Sequence, residues 1–303
     1  MQGGELVCRD LTKIYAYANG KRAVDNLNLA VPARGIFALI GMNGAGKTTL
    51  VRILATQLEP TSGLAQICGL DVLRDARKLR EIIAVVPQEA RTVPWMTPMQ
   101  MVTSYLLWRG IPYPECKSRA VEALSRLGLE KQCDTLNRKL SGGQRRKVMV
   151  AAVLAADAEI SFFDEPTTGL DPISRKDLWQ SLLGLAKNRF LLLTTHYLEE
   201  AEELADTIGI LEKGRLVGLG TLDYLRSLVR YQYSIRLPRA TTVPSIMDGT
   251  VTKGSDGQVQ ILTNEAEAYR LSEDLLRTGA RISISRISLD DVFFHLVGQG
   301  ESD

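Results

Sequence analysis

Gly41-Met-Asn43-Gly44-Ala45-Gly46-Lys47-Thr48-Thr49 follows directly on the apolar run Ile36 to Ile40, and this junction decides the fold. It satisfies the spacing G-x-x-x-x-G-K-[ST], in which glycines let the backbone curl so that successive N–H groups converge on one anion. A helical pattern, Leu50 to Leu58, comes next and turns its positive end toward the same place. In such a loop Lys47 carries a mobile charge to the β- and γ-phosphates, and Thr48 offers a hydroxyl to Mg²⁺. Strand, loop and helix in this order predict an α/β P-loop nucleoside-triphosphatase core.

Working outward, Ile82 to Val86, Ile160 to Phe163 and Phe190 to Thr194 are short, almost wholly apolar runs bounded by Gly, Pro or polar residues. Strands apolar on both faces belong to a covered, mostly parallel sheet. From Glu89 to Lys139 two helical patterns are punctuated by Pro94, Pro98, Pro112 and Pro114, which predicts a helical insertion; Val148 to Ala156 reads as a buried helix. Beyond Leu222 the pattern changes again. Tyr231, Tyr233, Ile235 and Leu237 alternate with polar residues, as do Ile282 and Ile284. Between them Asn264 to Thr278 reads as a helix with an Asn cap, and Ser288-Leu-Asp-Asp291 has capping-box spacing before a final apolar helix. The expected organisation is a nucleotide-binding domain over residues 1–222, its helical subdomain over about 89–155, and a small α+β domain over 223–303.

Composition narrows the function. The 303 residues include 37 basic and 35 acidic ones, a formal charge of +2. So even a balance argues against a nucleic-acid partner. No apolar run approaches the roughly 18 residues needed to span a bilayer, and the N-terminus lacks a signal-peptide core, so any membrane role is expected to come through a partner. Cys8, Cys68, Cys116 and Cys133 show no Cys-x-x-Cys pair, which fits reduced thiols in a cytoplasmic protein. With His196 and His295 the only histidines, a metal ion is expected to be held by oxygen ligands and phosphates.

The run Ile160-Ser-Phe-Phe-Asp164-Glu165 ends a strand on two adjacent carboxylates. Asp164 suits Mg²⁺ held opposite Thr48, and Glu165 suits the polarisation of an attacking water, since hydrolysis of a phosphoanhydride needs a positioned base.

Leu140-Ser141-Gly142-Gly143-Gln144 lies between the loop and this pair. With it, and with Gln88 after Val86-Pro87 and His196 after the run Phe190 to Thr195, the chain resembles the ATPase subunit of an ATP-binding cassette (ABC) transporter over about residues 5–222. The resemblance implies that Ser141, Gly142, Gly143 and Gln144 bind the γ-phosphate of ATP held by a second subunit. That subunit is expected to be an identical copy in a head-to-tail dimer. Gln88 would touch Mg²⁺ and the attacking water and relay nucleotide state to a membrane permease, His196 would contact the γ-phosphate, and Asp171 of Gly169-Leu-Asp-Pro172 would cross to the other subunit. Tyr15 stands at the family's adenine-stacking position. The stretch Ala16 to Lys21 is longer than the family pattern, so Tyr17 is a second candidate, and Met42 replaces a common proline.

The ending Leu289-Asp-Asp-Val-Phe-Phe-His-Leu-Val-Gly298 resembles the daunorubicin and multidrug-type exporter branch. The implied function is an ATPase at the inner face of the cell membrane, powering export of a drug, lipid or polysaccharide-like cargo through a separate permease. The alternative is a soluble ABC-type ATPase of DNA repair or translation. The gap between the loop and Ser141 holds no long coiled coil, and the chain has one cassette rather than two, which weighs against that alternative.

Overall fold

The computed structural model describes residues 4–16, 20–187, 189–238, 245–253, 259–277 and 281–298. The chain divides into two compact units, Met1–Val217 and Gly218–Asp303. In chain order the first holds β1 (Glu5–Tyr15), β2 (Lys21–Pro32), β3 (Gly35–Ile40), α1 (Lys47–Leu54), β4 (Ser62–Ile67), β5 (Leu70–Asp71), α2 (Ala76–Ile82) and β6 (Ile83–Val86). It continues with α3 (Pro98–Trp108), α4 (Tyr113–Arg126), α5 (Gly142–Ala156), β7 (Ile160–Asp164), α6 (Pro172–Ala186), β8 (Phe190–Thr195), α7 (Leu198–Leu204), β9 (Thr207–Glu212) and β10 (Arg215–Gly220).

A six-stranded sheet runs in the order β10-β9-β3-β8-β7-β6, with β9, β3, β8, β7 and β6 parallel. Every residue of β7 and β8 is buried, as a sheet covered on both faces requires. Phe37, Phe162, Phe163 and Phe190 are fully buried in it, each stabilising the fold by about 1.5–3 kcal/mol. The register aligns the strand ends: Ile40 lies opposite Thr195, Asp164 opposite Thr194, and Val86 opposite Phe163. The loops leaving β3, β6, β7 and β8 therefore emerge together at the carboxyl edge, where open α/β sheets bind ligands.

A second, antiparallel sheet runs β2-β1-β4-β5, a feature absent from the expectations above. Its signature is hidden because Asp10 and Asn26 adopt positive φ (48° and 49°) and the β1–β2 register shifts repeatedly, so the period-two alternation is broken. Boundaries also differ from the sequence reading: Tyr231 and Ile282 lie just outside their strands, and Thr278, read as a helix end, lies outside the described residues. The helix after the loop starts at Lys47 and ends at Leu54, because Thr56 turns left-handed at φ 59°. Ile82 closes α2 and is not a strand residue.

The helices α3, α4 and α5 pack on one another, and α5 is the bridge to the sheet. Val102, Leu106, Ala120 and Leu124 share one core with Val148, Val153, Val86 and Phe163. Ser141 caps α5: its hydroxyl accepts from Gln144 N–H (3.1 Å), and the Gln144 side chain accepts from Ser141 N–H (3.0 Å).

The second unit holds α8 (Leu222–Ser227), β11 (Tyr233–Leu237), β12 (Gly249–Lys253), β13 (Val259–Thr263), α9 (Glu265–Arg277), β14 (Ser283–Arg286) and α10 (Leu289–Gly298). Its antiparallel sheet runs β12-β13-β11-β14. Ile235, Leu237, Val259 and Ile261 pack against Ala268, Leu271 and Leu275 of α9, which Asn264 caps through Glu267 N–H at 2.9 Å. Ser288 and Asp291 form the box that starts α10. Neighbours on a helix lie about 100° apart, so Phe293 is buried while Phe294 is 71% exposed.

Candidate functional site

Lys47, the first residue of α1, is 5% exposed and donates to the carbonyls of Gly41 (2.7 Å) and Met42 (3.2 Å). Burial holds its ammonium below the ordinary lysine range, and the charges of Glu165 and Asp164 pull it back up. The curl around it depends on glycine. Gly46 sits at φ 109°, and a Cβ there would lie 2.1 Å from the Ala23 carbonyl.

Glu165 is the hub. Its N–H donates to the Thr194 carbonyl (3.1 Å) at the end of β8, fixing a left-handed φ of 49° that turns the side chain into the loop cluster. One carboxylate oxygen lies 3.6 Å from Lys47 Nζ and 3.3 Å from His196 Nδ1. The other accepts from Gln88 Nε2 (3.2 Å) and Thr168 Oγ1 (3.3 Å). Gln88 Oε1 is 3.3 Å from the Thr48 hydroxyl, and Asp164, 1% exposed, accepts from Thr194 Oγ1.

Lys47, Thr48, Gln88, Glu165, Thr168 and His196 line a cleft of about 600 Å³ with Tyr15, Lys21, Ala23, Asn43, Gly44, Ala45, Gly46 and Thr49, while Asp164 is buried behind Glu165 and is not part of its wall. That size falls within the ordinary range of ligand pockets. Tyr15 reaches Thr49 Oγ1 at 3.4 Å; Tyr17 lies outside the described residues. Gly41, behind the loop, has no room for a side chain, since a Cβ would meet the Leu211 carbonyl at 2.4 Å. Ser141, Gly142, Gly143, Gln144 and Asp171 do not join this cleft. Gly142 lines an adjoining one, which shares Gln88 and Thr168, beside Arg91, Arg138, Arg145 and Arg146. Asp171 caps α6 through the N–H groups of Ser174 and Ile173, the bonds to Ser174 foremost in holding its carboxyl below the usual range.

Residues 24–168 match the family model for the ABC transporter. The chain is 34% identical to the daunorubicin/doxorubicin resistance ATP-binding protein DrrA of Streptomyces peucetius, across 97% of this chain and 92% of that protein. It is 32% identical to the ATP-binding cassette sub-family A member 7 of Rattus norvegicus, there spanning 15% of the longer protein. A dimeric ATP-binding cassette solved in a post-hydrolysis state with ADP and Pi superposes with a TM-score of 0.66 at 26% identity, over 72% of this chain and 98% of that one.

The chain belongs to the ABC transporter family. It is an ATP-binding subunit and an ATPase of that family, and the transport reading stands over the soluble repair or translation alternative. Among the described residues no helix is long and apolar enough to cross a membrane. Side chains that no local motif announces also bridge the loops of the site. Arg146, on α5, donates to the carbonyls of Pro87, Gln88, Asp164, Glu165 and Pro166, stitching the helical block to both loops. Its partners lie up to 59 positions away, so only the fold identifies them. Thr168, Thr194 and Lys21 were likewise found only through the geometry.

Proposed function

We propose that this chain is the motor of an exporter, in which two copies face head to tail and close on two ATP molecules. The observation that carries this reading is the convergence of Lys47, Gln88, Thr168 and His196 on the carboxylate of Glu165. The loop N–H groups from Asn43 to Thr49 and Lys47 hold the phosphates, and Tyr15 stacks on the adenine. Glu165 takes a proton from the water that attacks the γ-phosphorus, His196 holds a γ-oxygen, and the leaving group is ADP. The Thr48 hydroxyl, the Gln88 amide oxygen and the Asp164 carboxylate are hard oxygen donors of the kind that suits Mg²⁺. When bound between them, the ion would neutralise charge on the phosphates. The second copy completes each site with Ser141 to Gln144, a capped helix N-terminus left exposed in the single chain, and with Asp171.

Residues 1–222 would form the ATPase domain and 89–155 its helical subdomain. The cargo class we assign is a hydrophobic drug-like or lipid-like molecule. The support is the DrrA relative and a phospholipid-transporting ATPase of Homo sapiens that is 35% identical, of which the chain spans 12%.

The permease would sit at the loop after Gln88, keeping the subunit at the inner membrane face. There Trp95 is 76% exposed, while Met99 and Met101 pack into the core. Trp95→Ala is expected to leave ATPase activity of the subunit alone intact and to weaken permease binding about 30-fold, or ~2 kcal/mol, as loss of an anchoring aromatic does. Pull-down of the permease with the purified variant measures this, and full recovery with normal transport would refute it.

The accessory domain expected over residues 223–303 is assigned to the dimer because Met247, Tyr269, Leu276 and Phe294 leave apolar surface exposed. Ending the chain after Leu222 keeps β10 whole. ATP binding should persist, while the protein concentration for half-maximal turnover rises about tenfold, equivalent to ~1.4 kcal/mol. Superimposable activity-versus-concentration curves for full-length and shortened chains would remove this unit from dimer formation.

A further inference from the structure

Glu200, in α7, is completely buried. One carboxyl oxygen accepts from Trp179 Nε1 (3.0 Å) and the other from Thr167 Oγ1 (3.1 Å). Glu200 N–H donates to the Tyr197 carbonyl (3.1 Å), one residue past His196, and the Thr195 hydroxyl accepts from Tyr197 N–H (2.9 Å). Thr167 is itself 1% exposed and Trp179 5%, so the cluster is sealed from water. Burial pushes the Glu200 carboxyl up, and the Thr195, Trp179 and Thr167 side chains pull it back.

A buried carboxyl is costly to desolvate, and an apolar side chain of similar volume would fill the space at less cost. Its value lies in what its partners carry. Thr167 follows Glu165 by two positions, in the loop whose Thr168 hydroxyl donates to the Glu165 carboxylate. Thr195 closes β8 and is followed at once by His196. Trp179 belongs to α6, which begins at the end of that same loop, on the cap Asp171. Glu200 itself stands four residues after His196, so its carboxyl ties that segment to the loop of Glu165 through Thr167 and to α6 through Trp179. The groups that meet at 3.3 Å, Glu165 and His196, lie on two of the segments so joined.

We propose that Glu200 is a positioning residue for ATP hydrolysis: it pins the loop of Glu165 to the strand end of His196, so that carboxylate and imidazole are held against the same γ-phosphate. The proposal rests on the reading of Glu165 and His196 as the hydrolytic pair. It places Glu200 outside nucleotide binding, since it lines no part of the ATP cleft. Its contribution therefore belongs in kcat and not in KM.

The test uses the full-length chain with Glu200→Gln, which keeps the shape but turns an amide NH₂ toward a hydroxyl or indole donor, and Thr167→Val, which removes one ligand of the carboxyl at equal size. Steady-state turnover, ATP affinity by equilibrium dialysis and thermal midpoint are measured for both variants and for the double variant. Each single variant is expected to lower kcat about tenfold or more, the scale of a misplaced reacting group. KM and ATP affinity should stay within about twofold, and the double variant should be no slower than the slower single one, because residues in one network act non-additively. If Glu200→Gln does not fold, Thr167→Val alone carries the test. A kcat within twofold of the parent in the soluble variants overturns the proposal, as does a loss shared equally between kcat and ATP affinity. Glu165→Gln, run beside them, separates the two readings. Normal turnover there overturns the hydrolytic pair itself, whereas lost turnover there with normal turnover in Glu200→Gln overturns only the role of Glu200.

Discussion

Glu165→Gln is expected to bind ATP with parental affinity and to hydrolyse it about 10²- to 10⁴-fold more slowly, the range for loss of a positioned general base. The substitution keeps the volume and one oxygen acceptor for Gln88 Nε2 or Thr168 Oγ1, and leaves Lys47 bonded to the carbonyls of Gly41 and Met42. What disappears is the carboxylate proposed to accept a proton from water, with His196 and Lys47 beside it. Hydrolysis is what separates the two copies in the proposed cycle, so the variant should accumulate as an ATP-bound dimer. Size exclusion with and without ATP measures this, together with phosphate release. A variant that turns over at a near-parental rate would remove Glu165 from the role assigned to it.

Lys47→Ala should fail at the earlier step. The ammonium is nine-tenths or more buried, and burial already depresses its affinity for a proton. A phosphate group in the loop restores the favourable field that desolvation takes away, so much of the lysine's value appears only on binding. Charge-assisted hydrogen bonds contribute about 1.5–3 kcal/mol each, which sets the expected loss of ATP affinity at roughly 100-fold. Removal also leaves Glu165 without its nearby cation, adding repulsion toward the phosphates. Titration with ATP by calorimetry distinguishes the two variants. Glu165→Gln should give an unchanged isotherm and Lys47→Ala a shallow one, and parental affinity in Lys47→Ala would place the phosphates elsewhere.

The loop from Gly41 to Thr49, the pair Asp164-Glu165, the segment Leu140 to Gln144 and His196 were all legible in the chain. Each is a short run whose residue types carry the chemistry, and each follows an apolar strand or starts a helix. The nucleotide-binding core and the parallel sheet follow from the same runs, because strands buried on both faces contain little but apolar residues. The antiparallel sheet was not legible. Its strands expose one face, and the bulges near Asp10 and Asn26 break the alternation that would have revealed them.

The sequence by itself thus determined the class of fold, the nucleotide and the chemistry available to the site. Only the tertiary structure decided which of those residues meet. Gln88 and Glu165 stand 77 positions apart and touch because β6 and β7 are neighbours with Val86 opposite Phe163. Ser141 and Asp171, though carried by equally recognisable motifs, are set away from the cleft of Lys47 and Glu165 as caps of α5 and α6. Arg146 and Glu200 read locally as one more charge on a helix. Their meaning comes from carbonyls, hydroxyls and an indole delivered by distant segments, since a buried charge takes its function from the partners that compensate its lost hydration.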